Sequence, residues 1–129
     1  MIYAGCNDVS RAHKDKKENI DIVNSVITMA MEGKKNGCND VCVSSILTRR
    51  GQQHCETIQR INTMLENVCK AKGLIYLSHS DVSPDHISGD GIHPNVKGTT
   101  ILMMNILSCF DGFDPLQTTI YGQYESIFQ

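Results

Sequence analysis

Leu74-Ile75-Tyr76-Leu77-Ser78-His79-Ser80-Asp81-Val82-Ser83-Pro84-Asp85-His86-Ile87-Ser88-Gly89-Asp90-Gly91-Ile92-His93-Pro94-Asn95 is the stretch on which the fold turns. Its first four residues are apolar and predict a strand. From Ser78 to Pro94 the chain is dense in Ser, Asp, Pro, Gly and His, which predicts a long loop. After Pro94 and Asn95 the apolar run Gly98 to Leu107 predicts a closing helix. A strand opening into an ionisable loop before a helix is the unit from which open α/β sheets build sites at their strand ends.

Upstream, the same alternation repeats. Met1 to Ala4 is a short apolar run that stops at Gly5, and predicts a strand. From Glu18 to Gly33, Ile20, Val23, Ile27, Ala30 and Met31 recur at steps of three and four, the mark of one buried helix face. Lys34-Lys35-Asn36-Gly37 closes that helix with late positive charge and a glycine. Val41 to Leu47 is rich in β-branched and apolar residues and predicts a central strand, left by the polar Thr48-Arg49-Arg50-Gly51. Ile58, Ile61, Leu65, Val68 and Cys69 predict a second amphipathic helix up to Lys72-Gly73. The order strand, helix, strand, helix, strand, loop, helix implies parallel strands joined by crossover helices. The methionines Met29, Met31, Met64, Met103 and Met104 are expected to pack on helix faces. Residues 110 to 129 show no clear period and are expected to form a tail outside the domain, residues 1 to 109.

Bulk properties narrow the function classes. The 129 residues, 40% hydrophobic and 20% charged, suit one globular domain. A net charge of −2 offers no broad positive field for nucleic acid or an anionic membrane, and the basic stretch around Lys14, Lys16 and Lys17 is broken by Asp15. No apolar run approaches bilayer thickness and the first residues lack a secretory pattern, so a cytoplasmic setting is the expectation. The six cysteines are scattered through helix and strand patterns and are expected to be reduced. Cys38 and Cys42 form a C-x3-C spacing with no answering pair, so no metal is expected.

Chemistry concentrates in two clusters at expected strand ends: Gly5-Cys6-Asn7-Asp8, and Asp90-Gly91-Ile92-His93 with Pro94-Asn95 after it. In acyl transfer a hydroxyl is too weakly acidic to attack unaided, so an imidazole takes its proton and an acid orients that imidazole. Asp90 and His93 can supply the pair: at this spacing in a tight loop a carboxylate reaches Nδ1 and leaves Nε2 facing substrate. The Asn7 amide would donate to the oxyanion of a tetrahedral intermediate, worth about 3 kcal/mol per donor.

At these residues the chain resembles the SGNH hydrolases, the GDSL-type esterases and lipases, whose third motif is Gly-x-Asn-Asp and whose last is Asp-x-x-His. The resemblance spans roughly Met1 to Cys109. It implies a three-layer α/β/α flavodoxin-like fold with a parallel sheet, of which the N-terminal strands are missing here. It makes Asn7 the oxyanion-hole residue, His93 the general base and Asp90 the acid orienting it, with Gly5 and Cys6 in the substrate-facing turn. No cofactor is implied, and the partner is a small-molecule or acylated substrate. The family's Gly-Asp-Ser motif has no counterpart: Ser10, Ser44, Ser45, Ser78, Ser80, Ser83 and Ser88 lack the Gly-Asp lead. The expectation is therefore a truncated hydrolase domain, inactive alone, whose N-terminal segment would be its intramolecular partner.

Two other readings compete. His79, Asp81, Asp85, His86, Asp90 and His93 crowd one loop and could gather around a metal, although their spacings match no defined ligand set. A non-catalytic module of the same fold, binding protein or RNA or surviving as a mobile-element remnant, is the alternative from another class.

Overall fold

The computed structural model describes residues 1–3, 18–51 and 54–109. Helix α1, Asn19–Lys35, buries Ile22, Val23, Val26, Ile27 and Ala30. The stripe sits further round the helix than the sequence suggests: Ile20 is 45% exposed, and Met31 also faces outward. Asp21 in the first turn and Lys34 and Lys35 in the last oppose the helix dipole. Lys34 also reaches across to the carbonyls of Lys72 and Gly73, 3.4 and 3.1 Å away, and so caps the neighbouring helix end with positive charge.

Strand β1, Cys42–Ser44, is wholly buried. It pairs in parallel with β2, Ile75–Leu77, in the register Cys42–Ile75, Val43–Tyr76 and Ser44–Leu77. On its other side Ile2 forms a parallel bridge to Val43, through Ile2 N–H to Cys42 O at 2.7 Å and Ser44 N–H to Ile2 O at 2.8 Å. Of the strand expected over residues 1–4, the described residues form this single bridge at Ile2, which leaves β1 central among the described residues. The strand expected over 41–47 is shorter than its composition suggests. After Ser45 N–H bonds to Leu77 O at 2.9 Å, the side-chain amide of Asn62 takes both the N–H and the carbonyl of Ile46, at 2.8 and 3.0 Å. A helix side chain replaces the next rung of the ladder.

Helix α2, Cys55–Lys72, begins one turn before its first buried apolar residue and buries Ile58, Ile61, Leu65 and Cys69. Gly73, at φ 68°, ends it in a left-handed conformation that a side chain would strain. With α1 it covers one sheet face, where Val41, Val43 and Leu74 join the helices' aliphatic side chains in a single core. Burial of each such side chain contributes about 1.5–3 kcal/mol.

The other face carries helix α3, Val96–Ser108, above a smaller core of Leu47, Val82, Ile87 and Leu102. Because side chains alternate along a strand, Cys42 and Ser44 turn away from Val41 and Val43 and toward α3. The inward stripe on α3 is Gly98, Leu102, Asn105 and Cys109, at steps of four, three and four; Gly98 packs on His86 of the loop, and Asn105 and Cys109 reach His79 and Cys42. Met29 and Met104 are exposed rather than packed, while Met103 is buried. The result is an α/β fold with parallel strands and helices on both faces. Among the described residues no helix is long and apolar enough to cross a membrane.

Candidate active site

The expected long loop after β2 is ordered by local hydrogen bonds. Its middle is a short 3-10 turn, Pro84–His86, in which Ser83 N–H donates to His86 Nδ1 at 3.1 Å. Ile87 is buried and anchors the next segment of the loop. Ile87 and Pro94 form an antiparallel bridge, with Ser88 N–H to His93 O at 2.7 Å and Asn95 N–H to His86 O at 2.8 Å. Residues 87–94 are therefore closed at their base, and Gly91, at φ 80°, makes the tight reversal. Arg50 N–H donates to Gly91 O at 3.0 Å and ties the reversal to the loop after β1. Asn95 caps α3, its Oδ1 accepting from Gly98 N–H at 2.9 Å while its Nδ2 donates to Asp85 O at 3.0 Å.

Within this frame Asp90 and His93 meet as expected. Asp90 Oδ1 accepts from Ser88 Oγ at 2.8 Å, Ile92 N–H at 2.8 Å and His93 N–H at 2.9 Å. Its second oxygen, Oδ2, lies 2.5 Å from His93 Nδ1. The His93 bond, then the two backbone amides and the Ser88 hydroxyl, hold the Asp90 carboxyl well below the usual carboxylate range. An ionised Asp90 selects the tautomer with the proton on Nδ1 and leaves Nε2 as the basic nitrogen. The pair is open to solvent, with side-chain exposures of 76% for His93 and 48% for Asp90. No described serine hydroxyl bonds to His93. Gly5, Cys6, Asn7 and Asp8 lie outside the described residues.

A second histidine, His79, to which the acyl-transfer motifs give no role, is buried, with 3% exposure. Its Nε2 lies 2.5 Å from Ser44 Oγ and its Nδ1 lies 3.3 Å from Asn105 Nδ2, which also donates to Asp81 Oδ1 at 2.7 Å. Burial pushes its pKa down, partly offset by Asp81. The partners define its proton: an amide N–H can only donate, so Nδ1 accepts and Nε2–H donates to Ser44. Ser44 Oγ in turn donates to the carbonyl of Ser45 at 3.3 Å. A serine receiving a proton bond from the imidazole is not being activated by it, so this network fastens β1, β2 and α3 together rather than preparing a nucleophile. Its partners are 35 and 26 residues from His79, a separation that no local motif reveals.

The six-residue metal reading does not assemble. His79 is engaged by Ser44 and Asn105, His86 by Ser83 and His93 by Asp90, and no group of three potential ligands forms among the described residues. Among the described residues, one concavity lies at each end of the loop. A cleft of 480 Å³ is lined by Ser45, Thr48, Gln59, Tyr76, Ser78 and His79 among others, and touches neither Asp90 nor His93. A more open groove of 450 Å³ along Pro94, Asn95, Val96, Thr99 and Thr100 starts directly after His93, with Val96 86% exposed on its rim. Its lining likewise includes neither Asp90 nor His93, and it is joined to the pair through Pro94, the next residue in the chain.

No protein-family model and no curated protein matches the sequence. Among solved structures, a GDSL-like lipase from Bacteroides thetaiotaomicron is similar, with a TM-score of 0.62 and 19% identity. The match covers 71% of this chain and 52% of that one, so the chain spans about half the length of the lipase. The likeness is one of fold.

Proposed function

We propose that this chain carries the His-Asp half of an SGNH-type ester-hydrolase site, with His93 as general base and acid, Asp90 as its orienting carboxylate and Asn7 as an oxyanion donor. One observation carries the reading: three donors fix one oxygen of Asp90 while the other meets His93 Nδ1, on the loop leaving a parallel strand. The lipase-like fold and the Gly5-Cys6-Asn7-Asp8 sequence support it.

None of the serines in these 129 residues follows a Gly-Asp pair, so in this reading the nucleophilic serine comes from a segment other than this one. Its hydroxyl attacks the acyl carbonyl while His93 Nε2 takes the proton, and Asp90 remains ionised and stabilises the imidazolium. The oxyanion is met by the Asn7 amide. His93 then returns the proton to the departing alkoxide, and a water activated by the same nitrogen releases the acid. No cofactor enters this chemistry, and the groove after His93 offers an apolar edge, Val96, to part of the substrate.

The test is to join the chain to a segment bearing strand and Gly-Asp-Ser and to follow a p-nitrophenyl short-chain ester. Turnover should appear, and His93→Ala should lower it by about 10³-fold or more. Equal turnover with and without the imidazole would remove His93 from the reaction. The chain alone should leave Ser44 unlabelled by an organophosphonate serine probe; labelling there would move the nucleophile into the buried network.

A further inference from the structure

We propose that Cys42 and Cys109 are a dithiol modification site, closing to a disulfide between β1 and the end of α3 on exposure to a small-molecule disulfide such as oxidised glutathione. Their sulfurs are 3.7 Å apart although 67 residues separate them in sequence. Cys42 stands on the sheet face turned to α3, and Cys109 follows Asn105 by one helical turn on the α3 side that meets it, where Asn105 bonds His79. No other pair of cysteine sulfurs is in contact among the described residues: Cys69 belongs to the core on the opposite face, and Cys38 is exposed beyond the end of α1. A disulfide needs the sulfurs at about 2.05 Å, so they must approach by roughly 1.6 Å, within reach of side-chain rotation and a small shift of the helix end.

The two thiols differ in a way that sets the order of steps. Cys109 is partly exposed, whereas Cys42 is buried, and burial, reinforced by the hydrogen bond to Cys109, pushes its pKa up to about 12. Cys109, as thiolate, attacks one sulfur of the oxidant and expels one glutathione thiolate, leaving a mixed disulfide. Cys42 then loses its proton to solvent and attacks Cys109 Sγ, expelling the second glutathione thiolate. Two protein S–H bonds are lost and one S–S bond forms, while the oxidant's S–S bond takes the two electrons and yields two thiols. The second step requires the deprotonated form of a buried group, so closure should be slow at neutral pH and faster as pH rises.

The product would bolt α3 to the central strand. That helix starts at the Asn95 cap, immediately after His93 and Pro94, so the bolt also steadies the layer from which the Asp90–His93 loop springs. Closure of this disulfide is independent of the hydrolase reading.

The experiment is incubation of the 129-residue chain with oxidised glutathione, alkylation of remaining thiols, digestion and mass spectrometry. The expected product is lighter by two hydrogens, with the Cys42 and Cys109 peptides joined, and its thermal midpoint is higher by about 5–10 °C until dithiothreitol is added. Cys42→Ala should trap a glutathione adduct on Cys109. Linkage of Cys42 to any other cysteine, or a Cys42 that stays fully alkylatable while other thiols oxidise, overturns the proposal. The peptide map of the unaltered chain decides this even if a variant folds poorly.

Discussion

Gly98→Ala separates tertiary packing from helix propensity by sign. At an ordinary helical position the change stabilises by about 1 kcal/mol, because alanine loses less backbone freedom than glycine. Here a β-carbon would fall well inside contact distance of the His86 carbonyl oxygen and 3.1 Å from the β-carbons of His86 and Pro94. The obstacle is main chain at the end of the 3-10 turn, not the tip of a flexible side chain. Restoring contact requires the turn or the helix to retreat by about 1 Å, and overpacking of this kind costs about 1–3 kcal/mol. The same carbonyl accepts the bond from Asn95 N–H, so retreat also weakens an interaction worth about 1 kcal/mol. Setting the propensity gain against these two costs leaves a net destabilisation of about 2 kcal/mol. Urea unfolding monitored by circular dichroism measures it, and the His93 ring signals should shift because the displaced turn closes the base of their loop. A variant as stable as the parent, or more stable, would show that α3 does not press on the turn as described.

Three further outcomes are expected from the geometry. His79 is held neutral, so its folded pKa lies below the unfolded value of 6.5; its contribution is fully present above pH 6.5 and is lost as pH falls toward the lowered folded value. Denaturation from about pH 7.5 downward should show stability declining by at most about 1.4 kcal/mol per pH unit from this group, and a His79→Gln variant should lose that part of the slope; an unchanged slope refutes the assignment. Asn62→Ala removes both bonds to Ile46 and should cost about 2 kcal/mol in urea unfolding, whereas a loss under about 0.5 kcal/mol would mean the strand end finds other partners. Asn95→Ala should cost about 1 kcal/mol and Asn95→Ser less, because serine keeps the helix cap and loses only the contact to Asp85; equal losses would point away from capping.

The Asp90–His93 pair shows how far local sequence carries. Its members lie three residues apart in a loop whose Gly91 permits the reversal, so their meeting depends on a few torsions. Helix α2 was similarly legible: Ile58, Ile61, Leu65 and Cys69 are buried as their spacing implies. Helix α1 shows the limit, because its apolar residues extend over more than one face. Periodicity admits both Ile20 and Ile22, and only the position of the sheet exposes the first and buries the second. The role of Ser88 could have been inferred from a hydroxyl two residues before an aspartate in a turn. That of His79 could not.

By itself the sequence determined the alternation of strands and helices, the parallel sheet and the local His-Asp pair, since these arise from periodicity and short-range torsions. Tertiary structure decided what crosses layers. It set the two faces of β1 against different helices and brought Ser44 to His79 and Asn105. It also placed Cys42 beside Cys109 and made Gly98 a packing requirement. Such contacts join residues distant in the chain, and which of them meet depends on strand order and on the side of the sheet each helix covers. Neither is encoded in a local period.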